Sequence, residues 1–284
     1  MKEHKIAVVD FRMDKECRKS LEDLGLKLID SYYNKKIYNS ISGHVDINMF
    51  TDGENIVVSP ESYSYYKEVF ERADCHKKII SGKSSLSKKY PGDTLYNVCY
   101  TGKYYIANFD NVDYEIKRLI YNKYKKNNIY EEESRISEFC KKTINEDLSV
   151  DIVKKYRFRK GYEEIDQIVH LDKVINIKQG YSNCSICQVD ENSIITYDEG
   201  IAKILKKTGI NVLKIDKGHI ELFDFNYGFI GGASANFLDK IVFFGSIKKH
   251  PDYERIRYFI EEKGKKIVEL SNNKLIDYGS MFVF

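Results

Sequence analysis

The chain of 284 residues contains no tryptophan and just three prolines. With so little proline, and no stretch rich in Gly, Pro or Ser, there is no visible linker. One domain spanning 1–284 is therefore expected, although the length alone would allow two. Long apolar runs are missing as well: none approaches the ~18 residues that a membrane-spanning helix needs. Nor does MKEHKIAVVD hold the apolar core of roughly 7–15 residues that marks a secretory signal. These absences predict a cytoplasmic protein without membrane contact. There is also no surplus of one charge: 46 Lys+Arg against 43 Asp+Glu leaves +3, spread over the whole length. Without a dense basic tract, nothing suggests a phosphate-backbone groove and no nucleic-acid partner is expected. The six cysteines (Cys17, Cys75, Cys99, Cys140, Cys184, Cys187) are scattered through a chain long enough to build its own core. Free thiols are expected rather than a disulfide framework. The many Tyr, Lys, Ile and Asn residues carry no functional reading.

What is present is a repeat. A strand-helix-strand unit can be written five times, opening with the β-rich runs IAVVDF, NIVVSP, YYIANF, SIITYD and KIVFFG near Ile6, Ile56, Tyr105, Ile194 and Ile241. The openings recur at steps of 50, 49, 89 and 47 residues. The long step predicts an insertion of about 40 residues, placed at approximately 124–172, whose charged sequence reads as one or two surface helices. Three units also share a helix stop: Gly25, Gly209 and Gly264 each follow an amphipathic run. In the first, Cys17, Leu21 and Leu24 form an apolar stripe. In the last, Pro251 opens a helix whose Ile256, Phe259 and Ile260 are predicted to face inward. Five such units predict an α/β ring with five-fold pseudosymmetry. The alternative is an ordinary α/β sandwich, whose units look alike because strand, helix and strand always do.

Each unit closes on an apolar run headed by unusual residues: His44 and Asp46 in GHVDINMF, Asp93 and Asn97 in GDTLYN, Asn183 and Cys184 in YSNCS, Gly231 and Gly232 in GFIGGAS, and Asp277 in DYGSM. In a ring, the closing runs meet on the axis, so these residues become neighbours although far apart in sequence. His44 and Asp46 are read as one face of a strand. Each residue also has a structural reading. His44 can be a satisfied histidine beside a turn, Cys184 a small buried residue, and Asp93, Asn97 and Asp277 turn formers. The C-x-x-C formed by Cys184 and Cys187 has no second pair, so neither a metal nor a redox site is expected. GFIGGAS lacks the order of a dinucleotide or phosphate loop, and no cofactor is expected.

A ring of five such modules resembles the guanidino-group-modifying, or pentein, superfold. The resemblance becomes chemical at the His-x-Asp pair His44/Asp46. KYPGDTLYN, KQGYSNCS, YGFIGGAS and LIDYGSM together resemble an uncharacterised clostridial family assigned to the same fold. The resemblance implies an enzyme acting on a small guanidine or amidine ligand through a cysteine covalent intermediate, as hydrolase or transferase. It implies Cys184 as nucleophile, His44 as acid and base, Asp46 as orienting carboxylate, and Asp93, Asn97 and Asp277 around the bound cation. A thiolate supplies the nucleophile, imidazole titrates near neutrality, and paired carboxylates match a planar cation with several donors. In the superfamily the nucleophile lies near the C-terminus, where this chain has Ser280. The assignment of Cys184 therefore implies a rotation of roles around the ring. Cys184 is further expected to be the most reactive thiol, its thiolate favoured by a neighbouring imidazolium. The rival readings are a non-catalytic pentein used as a binding platform and a small-ligand sensor.

Overall fold

A computed structural model of the chain describes residues 5–125, 168–169 and 171–284. The proposed insertion at 124–172, and Cys140 with it, falls almost wholly outside the described residues.

The five opening runs are the middle strands of five three-stranded sheets: β1 (Lys5–Val9), β4 (Asn55–Val58), β7 (Tyr105–Ala107), β10 (Ser193–Thr196) and β13 (Lys240–Phe243). Their near-continuous Ile and Val content follows from burial on both faces, as in β1, where the four residues after Lys5 are buried. Each middle strand pairs in parallel with the strand that follows its helix: β2 (Leu26–Asp30), β5 (Lys78–Ser81), β8 (Val174–Asn176), β11 (Asn211–Lys214) and β14 (Lys266–Glu269). The crossovers are the helices Lys15–Asp23, Tyr63–Arg72, Glu199–Lys207 and Tyr253–Glu262, while a helix from 114 to 125 leaves β7.

The helices follow their sequence signals. Asp14 caps the first one by accepting the Cys17 N–H at 2.9 Å. Cys17, Leu21, Ile256 and Ile260 are fully buried, and Phe259 packs against the core in part. All three glycine stops hold positive φ, at 85, 82 and 70°.

The third strand of each sheet comes from the preceding unit. The closing strands β3 (Met49–Thr51), β6 (Cys99–Tyr100), β9 (Cys187–Asp190), β12 (Ser234–Phe237) and β15 (Phe282–Val283) pair antiparallel with the next opening strand rather than with their own. Each unit is thus stitched to its neighbour. The ring closes where β15 lies on β1, with Ala7 opposite Val283, and Ile6 and Phe284 exchanging backbone hydrogen bonds at 3.0 and 2.8 Å. The five-fold α/β ring is the fold observed. Residues of the five closing strands line an axial depression of about 230 Å³, among them Thr51, Tyr100, Gln188, Asn236 and Phe282.

Candidate active site

The five turns that lead into the closing strands form a belt. The Asp46 N–H donates to the Gly279 carbonyl at 3.2 Å, and the Asn97 side-chain amide donates to the Asp46 carbonyl at 3.1 Å. Asn97 Oδ1 accepts from the N–H groups of Asn183 (2.7 Å) and Cys184 (3.3 Å). The Gly232 N–H donates to the Cys184 carbonyl at 2.9 Å, and the Gly232 carbonyl accepts from Tyr278 and Ser280 at 3.1 and 2.9 Å. These bonds run through all five turns and return to the first. They hold residues from 46 to 280 against one another at the head of the axis.

Local structure there corrects one expectation. His44 and Asp46 do not lie on a strand: His44 occupies the cap position of a one-turn helix, Val45–Asn48, which contains Asp46. Cys184 sits in a second such helix, Ser182–Ser185. The pseudo-repeat places the two short helices alike, each immediately ahead of its closing strand, so Asp46 and Cys184 approach as counterparts.

The belt encloses a polar cluster. Ligating atoms of His44, Asp46 and Cys184 all lie within 4.8 Å of one another, and each residue is at most 2% exposed. The Cys184 thiol donates to Asp46 Oδ2 at 3.0 Å and accepts from Asn97 Nδ2 at 3.1 Å. Asn183 donates its amide to the same Asp46 oxygen at 3.1 Å. Asp277 reaches the cluster from the last turn, with Oδ1 3.8 Å from His44 Nδ1. Its carboxylate is anchored by the N–H groups of Phe229 (2.9 Å) and Gly279 (3.0 Å). Both imidazole nitrogens and Asp46 Oδ1 are buried without a hydrogen bond. Buried polar atoms left open at the centre of a satisfied belt are free to receive a ligand. By donor type, the cluster could hold a divalent metal ion as well as an organic cation.

Of the residues expected in the site, His44, Asp46, Cys184, Asn97 and Asp277 converge. Asp93 stands beside the cluster, one oxygen accepting the Tyr181 hydroxyl at 2.6 Å and the other buried without a partner. Cys187 belongs to a different part of the core, between the fourth and fifth modules. Asn183 was legible as an unusual residue of its turn, yet nothing in its spacing foretold the bond to Asp46. Asp10 and Arg12 carried no signal beyond an i, i+2 charge pair. The Arg12 guanidinium grips Asp10 at 2.9 and 2.6 Å, and both charges act on His44.

The electrostatics overturn the expected thiolate. Burial pushes Asp46 up to about 6, against the hydrogen bonds from Cys184, Asn183 and Asn97 that favour its charge. Burial likewise lifts Asp277 to about 6, opposed by His44 and aided by Asp46. His44 is driven below its ordinary value because burial outweighs the attraction of Asp277 and Asp10. No imidazolium therefore faces Cys184 at neutral pH. Burial, then the charges of Asp46 and Asp277, hold the thiol well above its ordinary range. Cys99 and Cys187 are pushed up to about 12 by burial. The resting cluster is a neutral thiol and a neutral imidazole between two strained acids, an arrangement that accepts positive charge.

Among solved structures, the chain is similar to three enzymes. DDAH from Pseudomonas aeruginosa, in a cysteine-to-serine mutant complexed with citrulline, has a TM-score of 0.50 at 10% identity, covering 99% of this chain and 98% of its own. The arginine dihydrolase ArgZ from the ornithine-ammonia cycle in cyanobacteria gives 0.47 at 10% identity, over 96% of this chain and 38% of its own. Agmatine deiminase of C. jejuni gives 0.46 at 10% identity, over 95% and 86%. The five-module ring is the pentein fold, shared with the DDAH structure along nearly its whole length. No curated protein matches the sequence, and no helix among the described residues is long and apolar enough to cross a membrane. Residues 8–131 and 140–282 match the family of unknown function DUF6873, and the chain belongs to that family.

Proposed function

We propose that this chain is a cysteine-dependent enzyme acting on a guanidine or amidine group. The observation that carries the reading is the convergence of Cys184, His44 and Asp46 within 4.8 Å, with Asp277 3.8 Å from the imidazole. An entering guanidinium donates N–H bonds to Asp46 and Asp277, and its charge relieves the cost of ionising both. With the acids engaged, Asp46 no longer opposes ionisation of Cys184, and the thiol proton passes to His44. The thiolate attacks the central carbon, forming the C–S bond as the C=N electron pair moves to nitrogen. His44 returns the proton to the departing amine, the C–N bond breaks, and a thiouronium remains on Cys184. Neutral His44 then takes a proton from water, which attacks the same carbon. The C–S bond breaks with its electron pair going to sulfur, His44 returns its proton to that thiolate, and the O-protonated product loses a proton to solvent to give the ureido compound. A second amine in place of water makes the enzyme a transferase. The fold supports this class of ligand, since DDAH carries citrulline, itself a ureido compound.

The alternative is a binding platform without turnover. It draws support from the Cys184 thiol, held protonated against Asp46. Amine release from methylguanidine and its homologues separates the two readings. The enzyme reading predicts release by the native chain and a loss of about 10³-fold or more in Cys184→Ala. Tight binding with no product and no covalent adduct would leave the platform.

A further inference from the structure

Beside the reactive cluster runs a row of five aromatic rings drawn from three modules. Tyr90 meets Tyr181 at 6.2 Å between centroids, Tyr181 meets Phe229 at 5.8 Å, Phe229 stacks on Tyr197 at 5.7 Å and 11°, and Tyr197 meets Tyr227 at 6.0 Å. The row begins at the chemistry. Tyr181 immediately precedes the helix that carries Cys184, and the Phe229 N–H is the group that anchors Asp277. Tyr181 and Phe229 pack against the core around Cys184. The row also reaches solvent: its three inner rings and Tyr227 are half-buried, while Tyr90 is 50% exposed. Along it lies the buried Asp93, whose free oxygen has no partner. Among the described residues, the cation seated on the row is Lys217, 4.8 Å from Tyr227, the ring at the end opposite Tyr90.

We propose that this row is the tail subsite of the reaction centre, taking guanidines or amidines whose substituent is an aromatic ring rather than an amino-acid head. The inference rests on the cation-processing reading above and deepens it. Half-exposed rings continuous with two buried acids favour a flat cation that extends into an apolar plane. An amino-acid carboxylate would instead meet the buried acid Asp93. Asp93 suits an N–H donor at the junction of head and tail.

Calorimetry on the native chain with methylguanidine, phenylguanidine and L-arginine tests this. Phenylguanidine is expected to bind at least about tenfold more tightly than either of the others, the gain of one well-placed ring contact. In Phe229→Leu the ratio of phenylguanidine to methylguanidine affinity is expected to fall toward one. Tyr197→Leu gives the same readout if the first variant does not fold. Methylguanidine binding with no preference for phenylguanidine, or with L-arginine preferred, overturns the tail subsite and leaves the guanidine reading standing. Binding of none of the three overturns both.

Discussion

At the scale of single residues, Asp46 decides the character of the site. A carboxyl whose ordinary value is 3.8 and which sits at about 6 in the fold favours the native state when protonated. Its stabilising influence is complete below about 4 and is lost as pH rises through about 6, so above that range its charge works against folding. Asn at this position keeps an oxygen for the Cys184 and Asn183 donors while removing the charge. Asp46→Asn is therefore expected to stabilise the chain by roughly 1–3 kcal/mol at pH 8, with the gain vanishing near pH 4. Thermal melts at the two pH values read this directly; a variant less stable than native at pH 8 contradicts it. On the proposed reading, in which ionised Asp46 and Asp277 hold a cationic substrate, kcat/KM is expected to climb as pH passes about 6. Sequence alone named these residues because closing runs of a ring must converge. It could not give the protonation state of Cys184, which depends on which partner lies nearest once the turns have met.

Among the elements, the turns before the closing strands bear the tightest constraints. At Gly279 the backbone holds φ +70°, and a Cβ there would strike the Cα, Cβ and Cγ of His44, with the Cα at 2.6 Å. Gly53, in the exposed turn between β3 and β4, has φ +85° and open space around it. Ala at 53 therefore meets backbone strain alone, about 1 kcal/mol, while Ala at 279 adds a clash with rigid atoms and is expected to cost about 3 kcal/mol or more. Denaturant titration compares the two, and equal losses would mean that the belt yields freely around His44. The elements were legible where one local rule suffices. Doubly buried strands read as runs of Ile and Val, and helices declared themselves through apolar stripes and the glycine stops. The one-turn helices at 45–48 and 182–185 were not legible, since four residues show no period and GHVDINMF reads equally well as a strand. The aromatic row escaped for another reason: Tyr90, Tyr181, Tyr197, Tyr227 and Phe229 become neighbours only after three modules have packed.

For the molecule as a whole, the ring makes chain ends and loops interchangeable. Ile6 and Phe284 are paired across the closure, and each unit is joined to the next by its closing strand. A circular permutant opened at Gly53, with a short linker joining the original ends, keeps every sheet and the entire belt. It is expected to fold with native far-UV and near-UV circular dichroism. A permutant that collapses would show that the β3–β4 junction cannot be left open as the β15–β1 junction is, so that the five junctions are not structural equals. The repeat steps of 47 to 50 residues made this architecture readable, whereas the fact that each closing strand belongs to its neighbour's sheet emerges from pairing alone.

The central claim is that Cys184, His44, Asp46 and Asp277 form one site that is activated by positive charge. It is tested most directly by alkylating the native chain with chloroacetamidine and, in parallel, with the neutral chloroacetamide of the same shape, and measuring the rate at each cysteine by mass spectrometry. The account predicts slow reaction of Cys184 with the neutral reagent, because the thiol is held protonated. It predicts a preference for the cationic reagent of about 10²-fold or more, confined to Cys184 and largely abolished in both Asp46→Asn and Asp277→Asn. Equal rates for the two reagents at Cys184, or a cationic preference that survives removal of the acids, would contradict it.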